Sequence, residues 1–111
     1  MKLIRRGKMY EAGTVVIALV PFTDTSEIKK RPALVLFHEH GNFVVAGITS
    51  NPNMKGISLS KNEGAAIDSV IKLNYIFTIS ENMINKEVFH LSKEKKKEVF
   101  DGLVSSLSGL K

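Results

Sequence analysis

A chain of 111 residues, 43% hydrophobic and 24% charged, has the size and composition of one ordinary globular domain. It contains no cysteine, which excludes disulfides and thiolate metal sites and is compatible with a reducing compartment. A formal net charge of +5 suits a polyanionic partner: nucleic acid, an anionic membrane or an acidic protein.

Residues 1–12 read as a basic, polar N-terminal arm carrying Lys2, Arg5, Arg6 and Lys8. These cations precede an apolar run over 15–22, a pattern that superficially looks like a secretion signal. The run contains Pro21 and is heavy in β-branched residues. Thr23-Asp24-Thr25 follows it where a small-x-small cleavage site would be needed, so a signal is not expected. Eight apolar residues are also too few for a membrane-spanning helix, which needs about 20.

After Gly13, residues 14–20 read as a strand, ended by Pro21, which cannot donate to a ladder. Residues 22–31 read as a polar loop. Two apolar strands follow over 32–37 and 43–48, joined by His38-Glu39-His40-Gly41-Asn42, a connection in which Gly and Asn accept positive φ. Residues 51–56 are turn-rich, and 57–60 alternate as a short strand. Residues 70–79 form another, with Val70, Lys72 and Asn74 on one face and Ile71, Leu73 and Tyr75 on the other. Ser80 is a candidate N-cap for one helical turn over 81–86, and 88–91 a last short strand. Ser92 can cap a final helix over 93–108, with Glu94 favourable in its first turn. Val99, Leu103, Leu107 and Leu110, flanked by Phe100 and Val104, give that helix one apolar face, with Lys93, Lys95, Lys96 and Lys97 mainly opposite. The expected architecture is a single mainly β (α+β) domain over 1–111. It is a small curled antiparallel sheet covered by a C-terminal amphipathic helix, and the hairpin order allows an SH3-like barrel among other small barrels.

Few residues carry chemistry. His38, Glu39 and His40 have metal-ligand character but lack a third ligand at suitable spacing, so they read as exposed turn residues. Neither a Gly-rich phosphate loop nor a Gly-x-Ser-x-Gly elbow occurs. The segment from Phe22 to Arg31 packs three cations beside hydroxyls and an aromatic ring. Such a segment can grip phosphates and stack a base, and it equally suits a solvated loop. Arg31 directly precedes Pro32, which holds its backbone extended. A guanidinium fixed there suits bidentate phosphate contact or an ion pair with Asp24 or Glu27. The second hydrophobic hairpin strand ends in Thr49-Ser50-Asn51, either site residues on a rigid scaffold or turn chemistry leading into Pro52. Arg31 lies seven residues before His38 and Thr49 seven after Asn42, so a symmetric hairpin brings the two side chains together.

Several blocks, in order and spacing, resemble the MazF/PemK toxin family: Gly13-Thr14-Val15-Val16, Pro21-Phe22-Thr23-Asp24, Lys30-Arg31-Pro32-Ala33-Leu34-Val35-Leu36, Ile48-Thr49-Ser50 and Asp68-Ser69-Val70-Ile71-Lys72-Leu73. The Arg-Pro-Ala-Leu-Val block is the most specific. The resemblance implies an SH3-like barrel, a cytoplasmic homodimer, no cofactor and no membrane. It implies metal-independent cleavage of single-stranded RNA, and a cognate antitoxin whose acidic segment occupies the RNA groove. It places the catalytic Arg on Arg31 and the catalytic Thr on Thr49. The candidate RNA-contacting residues are then Phe22, Thr23, Asp24, Ser26, Lys29, Lys30, Ser50 and Asn51. The chain departs from the family pattern in having Tyr75 and Phe77 where many members have Gln and Arg, and in the absence of Gly before Arg31. The alternative is a non-catalytic module of the same fold that binds RNA without turnover or acts on a protein target, as gyrase-poisoning relatives do.

Overall fold

A computed structural model of the chain describes residues 9–21, 28–51 and 53–111. The six strands are β1 (Thr14–Pro21), β2 (Ile28–Glu39), β3 (Asn42–Thr49), β4 (Ile57–Leu59), β5 (Ser69–Ser80) and β6 (Ile84–His90), followed by helix α1 (Lys93–Ser106). They form one sheet in the order β4-β5-β3-β2-β1-β6, with every pairing antiparallel. The sheet curls into a half-barrel, as expected from short β-branched strands with one covering helix. The two ends of the sheet, β4 and β6, are edges.

Alternation along the strands gives two apolar faces. One carries Val16, Ala18, Val20, Ala33, Val35, Phe43, Val45 and Ile79, all at or below 2% exposure. Among the described residues none of α1 joins this cluster; Tyr10 completes it, with Tyr75, Phe77 and Met83 packed against it. The other face carries Val15, Leu34, Ala46, Ile48, Leu59 and Ile71 and is covered by Leu91 and Val99, with Leu103 packed alongside. A buried side chain of this size contributes about 1.5–3 kcal/mol, which is what seats α1. Ser92 caps that helix, its Oγ accepting the Lys95 N–H at 3.1 Å.

The strands run longer than their apolar cores. Residues 28–31 belong to β2 and pair with β1, Arg31 facing Ala18 and Lys29 facing Val20, so the expected loop over 22–31 ends at Ile28. Main-chain pairing with β1 holds these residues extended although the first three are exposed and Arg31 only half-buried. The expected turn over 81–86 shrinks to a single 3-10 turn at Glu81–Met83, because β6 already begins at Ile84 to pair with β1. Ser80 does not cap it; its hydroxyl donates to Asn82 Oδ1. Helix α1 stops at Ser106, and Ser108–Leu110 is a 3-10 turn. Tyr10, assigned above to the arm, is buried edge-on against Phe43, with ring centroids 5.5 Å apart.

Two irregularities place the site. The β2–β3 turn has only two central residues, His40 and Gly41, at φ 53° and 82°, between the facing pair Glu39 and Asn42. Positive φ at both matches the type I′ hairpin turn that the right-handed strand twist favours. A bulge then leaves Leu36 unpaired: Phe37 faces Val44, but Val35 faces Val45. Without it Val35, an inward residue, would face Ala46, an outward one. The bulge restores agreement between register and burial.

Candidate active site

The β2–β3 ladder ends at Ala33 opposite Gly47. Pro32 lies just beyond, still opposite Ile17 of β1, where a residue without an N–H costs the β3 ladder nothing. Continued one step further on the same face, that register would set Arg31, paired with Ala18 of β1, opposite Thr49, paired with Val70 of β5. Residues so placed in a regular ladder have Cβ atoms about 5 Å apart, within reach of one phosphate. Both are half-buried, on the inner face beside Ala33 and Gly47.

Thr49 is held locally. Its Oγ1 accepts the Asn51 N–H at 3.1 Å, and Asn51 Oδ1 accepts the Asn53 N–H at 2.9 Å. A hydroxyl oxygen engaged as acceptor retains its own proton for donation to a ligand oxygen. Strand alternation puts Lys29 on the same face as Arg31, while Lys30, facing Leu19, points to the opposite one. Ser50 and Asn51 are exposed directly after Thr49. Phe22, Thr23, Asp24 and Ser26 lie outside the described residues. Sequence reasoning missed three residues around this loop: Lys72 and Tyr75 of β5, and Met54. Lys72 Nζ donates to the Lys55 carbonyl at 2.6 Å, and the Tyr75 hydroxyl donates to Met54 Sδ at 3.8 Å. The departure of Tyr75 from the family pattern was the available signal.

Among the described residues, no three His, Asp or Glu side chains cluster closely enough to hold a metal. His38 and His40 sit at the hairpin tip, at the other end of β2 from Arg31. Also among the described residues, no helix is long and apolar enough to cross a membrane. A groove lies away from this site. It is an open apolar trough of about 650 Å³ on the outer face beside α1, lined by Leu36, Phe37, Val44, Ile76, Phe100 and Leu107 among others.

Several solved structures share this fold. The Mycobacterium tuberculosis toxin MazF-mt6 superposes with a TM-score of 0.71 at 20% identity, covering 86% of this chain and 96% of the other. A protein titled an endoribonuclease from a mycobacterial species gives 0.74 at 9% identity, covering 94% and 96%. The Deinococcus radiodurans MazE–MazF complex gives 0.67 at 18% identity, covering 89% and 96%. These likenesses establish the fold. Residues 11–107 match the family of PemK-like, MazF-like toxins of type II toxin-antitoxin systems, so the chain belongs to that family.

Proposed function

We propose that this toxin is an endoribonuclease that cuts single-stranded RNA at Arg31 and Thr49. The observation that supports the reading is the β2–β3 register, which ends at Ala33 opposite Gly47 and, continued on the same face, leads to Arg31 on one strand and Thr49 on the other. In the reaction, the RNA 2′-oxygen forms a bond to the adjacent phosphorus and the bond to the 5′-oxygen breaks. The 2′-OH proton is lost to solvent and the 5′-oxygen takes one up, leaving a 2′,3′-cyclic phosphate and a 5′-OH. Arg31 stabilises the charge on the non-bridging oxygens through two N–H donors. Thr49 donates to one phosphate oxygen and fixes the in-line geometry. Arginine has no useful pKa near neutrality, so neither residue serves as a proton carrier and the rate rests on positioning. Lys29, on the same face, holds the RNA backbone, and Phe22, Ser26, Ser50 and Asn51 remain the further candidate contacts read from the sequence.

The partners follow from charge and surface. The cationic face suits both RNA and the acidic segment of a cognate antitoxin, which compete for it in the cytoplasm. The apolar trough suits a second copy of the chain, giving a homodimer.

The test is a gel assay with a long unstructured RNA. Wild-type protein yields discrete fragments. Arg31→Ala, folded by circular dichroism, loses about 10²- to 10³-fold in rate, as expected for one lost oxyanion donor. Undiminished cleavage by that variant would refute the site. Salt-dependent RNA binding with no product from wild-type protein would mark a non-catalytic RNA binder instead.

A further inference from the structure

Strand β5 is longer than β3 requires. Ala46 faces Ile76 and Ile48 faces Ile71, so a two-residue step on β3 spans five residues of β5, an excess of three. The excess brings Lys72 and Tyr75 against the loop that follows Thr49. Lys72 Nζ donates to the Lys55 carbonyl at 2.6 Å and lies 5.4 Å from the centroid of the Tyr75 ring. The Tyr75 hydroxyl donates to Met54 Sδ at 3.8 Å. Within the loop, the Met54 N–H donates to the Asn51 carbonyl at 3.2 Å and the Asn53 N–H to Asn51 Oδ1 at 2.9 Å. The Asn51 N–H then donates to Thr49 Oγ1 at 3.1 Å. The contacts run from β5 to the Thr49 hydroxyl through the loop.

We infer that Lys72 and Tyr75 are positioning residues, which orient the Thr49 hydroxyl by pinning the loop over 50–55. The inference rests on the cleavage reading of the same site. The loop's described residues Ser50, Asn51, Asn53 and Lys55 are polar and exposed, and exposed backbone bonds of this kind open readily. A charged donor on its carbonyl, backed by the Tyr75 ring, supplies the missing anchor. Release of the loop frees Asn51, and Thr49 then samples other χ1 wells, where its hydroxyl is off line. A misplacement of about 1 Å is enough to cost about 10²-fold in rate.

The variants are Lys72→Met, Lys72→Arg and Tyr75→Phe, assayed on a short single-stranded RNA with amide hydrogen exchange measured in parallel. Lys72→Met lowers kcat at least tenfold with KM changed less than about threefold, and speeds exchange at Asn51. Lys72→Arg, which still donates to the Lys55 carbonyl, restores most of kcat. Tyr75→Phe gives a smaller loss of the same kind. A rise in KM with kcat unchanged would overturn the inference, because Lys72 would then be a direct phosphate ligand. Unchanged exchange at Asn51 would also overturn it. If wild-type protein cuts no RNA, the cleavage reading fails and the exchange measurement alone decides whether the loop is coupled to β5.

Discussion

Arg31 and Thr49 owe their common register to backbone devices on either side of them, and their proposed chemistry is separable residue by residue. The β2–β3 ladder ends at Ala33, so Arg31 keeps its main-chain pairing with β1 while Thr49 pairs with β5. Thr49 accepts from the Asn51 N–H, and on the proposed reading it has a second job, donating to substrate. Serine retains both and valine neither. Thr49→Ser is expected to keep the cleavage rate within about threefold, whereas Thr49→Val loses between ten- and a hundredfold, the range for one neutral donor of about 1–3 kcal/mol. Single-turnover rates at saturating RNA distinguish them. A valine variant as fast as wild type would reduce Thr49 to a turn residue.

At the scale of elements, much of the sheet is legible in the sequence, because its signal is local. The β-branched runs marked β1, β2, β3 and β5, and Ser92 marked the start of α1. The equal count on either side of residues 38–42 placed Arg31 opposite Thr49, but through the wrong turn. The real turn has two central residues, and the bulge at Leu36 makes up the difference. No local pattern announces that bulge; it follows from which face of each strand is buried. The excess of β5 over β3 was illegible for the same reason, and with it the role of Lys72. The junction between α1 and the turn at Lys61–Glu63 was also invisible, since it depends on long-range ion pairing. Glu63 accepts from the Ser60 N–H at 2.8 Å, and Lys95 bridges it to Glu98, at 3.2 Å from each carboxylate. The Ser60 N–H foremost, then Lys95, hold the Glu63 carboxyl below its ordinary range. For Lys95 burial opposes the charge, but the hydrogen bonds to Glu98 and Glu63 outweigh it and its pKa rises. A lowered carboxylate pKa stabilises the fold above the unfolded value, and that stability is lost as pH falls through the folded one. Glu63→Gln should therefore cost about 0.5–2 kcal/mol at pH 7, the size of a lost cap. The gap to wild type should start to close as pH falls below the ordinary carboxylate range and vanish only below the lowered folded value, where Glu63 itself becomes neutral. Urea titrations across that range check it, and a gap independent of pH would show that the charge is irrelevant.

For the whole molecule, charge and apolar surface act on different faces. The cations Lys29 and Arg31 lie on the inner face, so RNA affinity should fall with salt. Each lost phosphate contact lowers the slope of log K against log salt by about 0.7 for a single strand, the change expected for Arg31→Ala. On the outer face, α1 covers one part and an apolar strip beside it stays exposed. Periodicity marks one apolar face on a helix that covers the sheet, yet only Val99 of α1 is fully buried. Phe100, Val104 and Leu107 remain 64%, 52% and 57% exposed, and across the trough Phe37 and Ile76 are 54% and 41% exposed. The Leu36 bulge contributes here too, since it turns Leu36 and Phe37 outward together. A contiguous strip of this kind marks an interface on a soluble protein. A two-fold dimer covers it by packing the strip on itself, so one substitution acts twice. Phe100→Glu puts two carboxylates into that seam. Wild-type protein should sediment as a dimer and Phe100→Glu as a monomer at micromolar concentration, with the dimer dissociation constant raised at least a hundredfold. The monomer should keep the native far-ultraviolet spectrum, because Phe100 contributes little to its own fold. A wild-type chain that sediments as a monomer would leave the strip to another partner and end the homodimer reading.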